Sequence, residues 1–129
     1  MKKLITLLSV FSLAVSALAG PAKIADISHA ELQAAIAAKS VVVLDVNGSE
    51  SFAEGRIPGA IDFAKAKSNL AASLPKDKST LVVAYCGSER CSAYKAGANA
   101  ALALGYTNVK HYAPGISGWM KSGAKVEKS

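Results

Sequence analysis

Two short aliphatic runs limit what this chain can become. Residues 41–46 (Val41, Val42, Val43, Leu44, Asp45, Val46) and 81–85 (Leu81, Val82, Val83, Ala84, Tyr85) are mostly apolar and rich in β-branched side chains. Each is too short for a helix and lacks the alternation of a half-exposed strand, so each reads as a strand buried on both faces. Such strands belong to parallel sheets, whose connections must cross over, and helical patterns separate these two. The expected fold is α/β, a mostly parallel sheet with helices on both faces.

The remaining elements fit that frame. A brief extended segment covers 24–27, and Ser28 with Glu31 makes a capping box that starts a helix running to about Lys39, with Ile27 and Leu32 as its hydrophobic staple. Asn47, Gly48 and Ser49 turn the chain after the first buried strand; residues 51–54 make one helical turn, and Pro58-Gly59 precedes a short strand at 60–63. A helix is expected over 65–74, stopped by Pro75, another over 92–104 ended by Gly105, and a last strand over 109–113. Pro114 to Trp119 is a tight turn into a short final helix, and residues 121–129 read as a polar tail that frays.

Residues 1–19 carry a different signal. Lys2 and Lys3 form a basic start, residues 4–15 an apolar run, and Ala17-Leu18-Ala19 a small-x-small cleavage site, the three parts of a secretory signal peptide. The run falls short of the roughly 20 apolar residues that span a bilayer. The expectation is therefore a signal peptide at 1–19 and one domain at 20–129, exported to the periplasm or secreted, with no membrane attachment after cleavage. Cleavage would remove two lysines and lower the formal charge from +6 to +4. The remaining lysines are scattered without runs or interleaved aromatics, which argues against nucleic acid and for small anions.

The chemistry is concentrated after the second buried strand. Cys86 stands at its end, followed by Gly87, Ser88, Glu89, Arg90 and Cys91 and then by the helix that begins with Ser92. In parallel α/β sheets, ligands bind beyond the carboxyl ends of the strands. Unpaired amides and the positive end of a helix dipole favour thiolate over thiol there, and Arg90 adds a cation. The same amides would hold an anion carried on the sulfur, including the outer sulfur of a persulfide. Glu89 reads as solvated, with a charge that opposes thiolate formation, and Ser88 as a donor to the bound sulfur.

Four segments together resemble the rhodanese-like single-domain sulfurtransferases. They are residues 41–46; Phe52-Ala53-Glu54-Gly55-Arg56-Ile57-Pro58-Gly59-Ala60-Ile61; Val83-Ala84-Tyr85-Cys86 with its six-residue loop; and Pro114-Gly115-Ile116-Ser117-Gly118-Trp119. The resemblance covers residues 20–129 and implies that fold. It also implies that Cys86 is a nucleophile that takes a sulfane sulfur, typically from thiosulfate, forms a persulfide and passes the sulfur to cyanide or a thiol. The amides of Gly87, Ser88, Glu89 and Ser92 would then bind the anion with Arg90, no cofactor would be needed, and the partners would be a small sulfur anion and a thiol acceptor or reductant protein.

Three positions depart from the family's usual pattern. Asn47 follows Asp45-Val46 where an arginine is frequent, and Arg56 stands where histidine usually precedes the Ile-Pro-Gly-Ala segment. Arg90 is fifth in the loop and Cys91 sixth, where many members have an arginine that helps to hold the donor. A related phosphatase group uses a loop one residue longer that ends in arginine, and Ser92 occupies that place here.

Cys91 leaves three readings open: a resolving or redox-protective partner of Cys86, a permanent disulfide, or an independent thiol. Beside sulfur transfer stand two alternatives, thiol-disulfide redox work by Cys86 and Cys91 and a non-catalytic sulfur-sensing or binding module. Arg56 is a candidate to steer the anionic donor, and Asp45 to make a structural bond near the loop. Trp119 reads as core, Glu50 and Glu54 as solvated. His29 and His111 have no partner at metal-ligand spacing, so no metal site is expected. The domain reads as a monomer.

Overall fold

The computed structural model describes residues 24–129, so the signal-peptide segment lies outside the described residues. Five strands form one sheet: β1 (Ala25–Asp26), β2 (Val41–Asp45), β3 (Ile61–Asp62), β4 (Leu81–Tyr85) and β5 (Val109–His111). Their order is β1-β5-β4-β2-β3, and every pair is parallel. The two aliphatic runs lie side by side near the middle, in register from Val41 beside Leu81 to Asp45 beside Tyr85.

Their apolar character follows from that position, because successive side chains of a strand point to opposite faces. Leu44, Val82 and Ala84 enter one core with Phe63, Leu70, Ala98 and Ala101. Val43, Val83 and Tyr85 enter the other with Ile27, Leu32, Ile57, Tyr112 and Trp119. The first core is covered by α3 (Phe63–Ala66), α4 (Leu70–Ser73) and α5 (Tyr94–Ala103), the second by α1 (His29–Ala37) and α6 (Gly115–Lys121). A sixth helix, α2 (Ser49–Glu54), follows β2. Gly97 lets α5 approach the sheet closely, since a Cβ there would lie 2.9 Å from Val46 Cγ2.

Several boundaries differ from the sequence expectation. The helix expected over 65–74 begins earlier, at Phe63, where Asp62 caps it by accepting from the Ala64 amide at 3.1 Å. A 3-10 turn at Lys67–Asn69 then interrupts it. Ser68 and Asn69 lie at the break, and such side chains compete for backbone bonds and favour caps over helix interiors. The strand expected over 60–63 is reduced to Ile61–Asp62, and β5 ends at His111. Helix α5 begins at Tyr94 because residues 92 and 93 are spent on tight turns, Lys95 donating to Ser92 O and Ala96 to Ala93 O, each at 3.1 Å.

The tail is the largest correction. It does not fray but returns to the domain, where Glu127 pairs with Arg56 in an antiparallel bridge and Ser129 donates to Ala53 O at 3.0 Å. Val126 and Ala124 pack against the second core. The indole N–H of Trp119 requires an acceptor within the fold and finds Lys125 O at 2.7 Å. Among the described residues, no helix is long and apolar enough to cross a membrane.

Candidate active site

Cys86 is the first residue beyond β4, and only 1% of its surface is exposed. Its backbone is held by the start of α6: Ile116 N–H donates to Cys86 O at 2.9 Å and Ser117 N–H to Gly87 O at 3.0 Å. This close seating requires a glycine at 115. Gly115 has φ +64°, and a Cβ there would stand 2.5 Å from Cys86 O. Because carbonyl and amide point oppositely across a trans peptide, the same bonds turn the Gly87 and Ser88 amides away from α6.

The loop then folds back on itself. Cys91 N–H donates to Ser88 O at 3.1 Å, and Cys86 and Cys91 form a disulfide with their Cα atoms 6.2 Å apart. Of the three readings of Cys91, the independent thiol is thereby removed. The amides of Gly87, Ser88, Glu89, Arg90 and Ser92 donate to no backbone carbonyl among the described residues. Donors close to Cys86 are therefore left for an anion, whereas the Cys91 amide is already used. Ser92 is exposed, and its carbonyl serves the following turn.

Beside the loop lies an open cavity of about 340 Å³, lined by Ser88, Glu89, Arg90, Pro114, Ser117, Gly118 and Lys121. It brings together Ser88, Glu89 and Arg90 with a cation that no local sequence signal singles out, Lys121. Two cations and two hydroxyls against one carboxylate favour an anionic occupant. In the disulfide state neither sulfur lines this cavity.

Arg56 does not join it. Its guanidinium donates to Phe52 O at 3.1 Å and Ser129 Oγ at 2.8 Å, lies 3.7 Å from a Glu127 carboxylate oxygen and covers the Phe52 ring. The expectation that Arg56 steers a donor anion is corrected: the returning tail supplies its partners, and its charge is spent on fastening residues 127–129.

Asp45 occupies a sealed position beneath the loop. It is fully buried, with Oδ1 accepting from the Asn47 amide at 2.9 Å and Oδ2 from the Tyr85 hydroxyl. That hydroxyl in turn accepts from the Ile57 amide at 3.1 Å. Burial raises the Asp45 pKa against the lowering effect of the Tyr85 and Asn47 bonds, while burial first and then Asp45 raise that of Tyr85. With both oxygens engaged, Asp45 holds structure. Tyr85 escaped the sequence reading, although a lone hydroxyl in a buried aliphatic strand signals a required partner. Asn47, a turn residue that stands where the family often has arginine, would have its Oδ1 3.6 Å from a Cβ on Gly87, and its Nδ2 is buried without a partner among the described residues.

The two histidines have separate surroundings. His29 Nδ1 is 2.8 Å from the Tyr112 hydroxyl, whereas His111 stacks on Tyr94 with ring centroids 3.3 Å apart. Among the described residues, no three His, Cys, Asp or Glu side chains are grouped so as to hold a metal ion.

The site thus consists of a buried cysteine at the end of a central parallel strand, an amide-rich loop and the clamp from residues 115–117. Residues 28–122 match the family described as the rhodanese-like domain. The chain belongs to that family. This rhodanese-like domain is similar in structure to a rhodanese-related protein of Thermoplasma volcanium, with 22% identity over 81% of this chain and 99% of the other and a TM-score of 0.63. It is also similar to a human single-domain sulfurtransferase, with 24% identity over 77% of this chain and 97% of the other and a TM-score of 0.61. A thiosulfate sulfurtransferase of Pseudomonas aeruginosa matches at 25% identity and TM-score 0.66, over 81% of this rhodanese-like domain's chain but 20% of its own. No curated protein sequence matches the chain.

Proposed function

We propose that this chain is an exported sulfurtransferase that carries a sulfane sulfur on Cys86 and passes it to a thiol. The observation carrying this reading is the placement of Cys86: at the end of β4, clamped by Ile116 and Ser117, and followed by amides that have no backbone acceptor. The bond to Cys91 must first be reduced, since a disulfide sulfur is the electrophile in such exchanges and only the thiolate is the nucleophile. The freed thiolate then attacks the outer sulfur of a small anion such as thiosulfate. One S–S bond forms at Cys86 while the donor's own S–S bond breaks, and sulfite leaves with the electron pair.

The loop and α6 divide that work. Arg90, Lys121 and Ser88 receive the anion in the adjoining cavity, and the loop amides hold the negative charge on the persulfide. Export to the periplasm or beyond is supported by the three-part pattern at 1–19 and by a disulfide, a bond that persists in oxidising compartments. The test is sulfite release from thiosulfate in the presence of a reducing thiol. Turnover by the wild type and none by Cys86→Ser supports the reading; equal turnover by both contradicts it.

The disulfide itself favours a second reading, thiol-disulfide exchange by Cys86 and Cys91 without sulfane sulfur. That reading requires the chain to catalyse many turnovers of disulfide transfer from an external disulfide to a dithiol with no sulfur anion present, whereas the sulfurtransferase reading allows one equivalent of dithiol oxidised per chain.

A further inference from the structure

Cys91 is the part of the site that sulfur transfer to an external thiol leaves unused. Its position is built by the loop: the Ser88–Cys91 turn brings it to 6.2 Å from Cys86, Cα to Cα, within the window in which two cysteines can bridge. As a staple this bond would accomplish little, because it closes a very short ring and consumes the buried cysteine on which the site is centred. As a reaction product it has a use.

We infer that Cys91 is the resolving thiol for a Cys86 persulfide, making the chain a dithiol-dependent reductase of sulfane sulfur that releases sulfide. The inference rests on the Cys86 persulfide proposed above and identifies the thiol that reduces it as internal. The Cys91 thiol passes its proton to the outer sulfur of the persulfide, and the resulting thiolate attacks the inner sulfur, on Cys86. The Cys86–Cys91 bond forms, the bond to the outer sulfur breaks, and that sulfur leaves with the electron pair as hydrosulfide. A thiol held on the same loop competes strongly against thiols in solution.

Exposure sets the direction of the return step. Cys86 is 1% exposed and Cys91 is half-buried, so an incoming dithiol reaches the Cys91 sulfur first. Its thiolate bonds to Cys91 and expels Cys86 as thiolate, the form needed for another cycle; the reductant's second thiol then frees Cys91. With thiosulfate as donor, thiosulfate and a dithiol yield sulfite, hydrogen sulfide and the oxidised dithiol, with atoms and electrons balanced.

The test is a single turnover of the full chain, reduced, freed of reductant and mixed with one equivalent of thiosulfate, with sulfide, sulfite and intact mass followed together. Wild type is expected to release one sulfide and one sulfite per chain and to end two hydrogens lighter, as the disulfide. Cys91→Ser and Cys91→Ala are expected to release sulfite, retain one added sulfur and give no sulfide. Wild type that stores the added sulfur like these variants, or variants that release sulfide like wild type, would overturn the role of Cys91 while leaving the persulfide reading intact. Absence of sulfite and of added sulfur in all three proteins would overturn the persulfide reading, and this inference with it.

Discussion

Tyr85 and Cys86 are neighbours in the chain, yet the regions they enter obey opposite rules. The Tyr85 hydroxyl is sealed between Asp45 and the Ile57 amide, so its donor and acceptor capacities are both met inside the protein. One residue later, the loop from Cys86 to Cys91 leaves most of its amides without backbone acceptors and joins its ends through sulfur. A satisfied polar network in a low-dielectric interior is rigid and costly to break. An unsatisfied row of donors at the surface is available to a ligand. The sealed network fixes where β4 ends, and the open loop uses that fixed point for chemistry.

The two regions separate most sharply at the loop. Cys86→Ser is expected to reduce sulfite release from thiosulfate to background while the circular dichroism spectrum stays native, because the substitution removes the proposed nucleophile and leaves the Tyr85 network untouched. Tyr85→Phe is the converse. It leaves Asp45 Oδ2 and the Ile57 amide without their partner, and denaturant unfolding is expected to show a loss of about 2–4 kcal/mol. Sulfite release per folded molecule should remain within a few-fold of wild type; its disappearance would mean that the two regions are not separable.

Smaller effects sharpen the division. Arg90→Ala should raise KM for thiosulfate by about three- to tenfold with little change in kcat, the pattern for loss of a partly solvated cation that binds the anion. The smallest effect concerns pH. Burial lowers the His111 pKa from its ordinary value of 6.5 despite Asp26, whose carboxylate oxygen is 3.3 Å from Nδ1. The unfolded chain therefore binds this proton more tightly, so the stability contributed by neutral His111 is present above pH 6.5 and lost as pH falls through the lower folded value. His111→Phe, which keeps the stack on Tyr94, should lose less stability than wild type on acidification across that range.

Much of this division was legible in the sequence where the signals were local. The two aliphatic runs marked the central strands, and the Ser28 cap is seen as its side chain accepting from Glu31 N at 3.1 Å. The loop after Cys86 was placed correctly because it follows a buried strand directly. What escaped depends on partners distant in the chain. Arg56 looked available because Glu127 and Ser129 lie in a tail whose composition suggested fraying, and only the fold brings them together. The Asp45–Tyr85 bond joins two strands whose register no local pattern specifies. Lys121 enters the site because the Gly115 contact draws the start of α6 against the loop.

Everything proposed for the site depends on Cys86 accepting a single sulfur atom. The most direct measurement is intact and peptide mass spectrometry of the reduced Cys91→Ser protein after thiosulfate, since this variant cannot discharge the adduct through Cys91. One added sulfur is expected, located on the peptide that contains Cys86 and removed by a reducing thiol. An unmodified Cys86 peptide, with thiosulfate unconsumed, would contradict it.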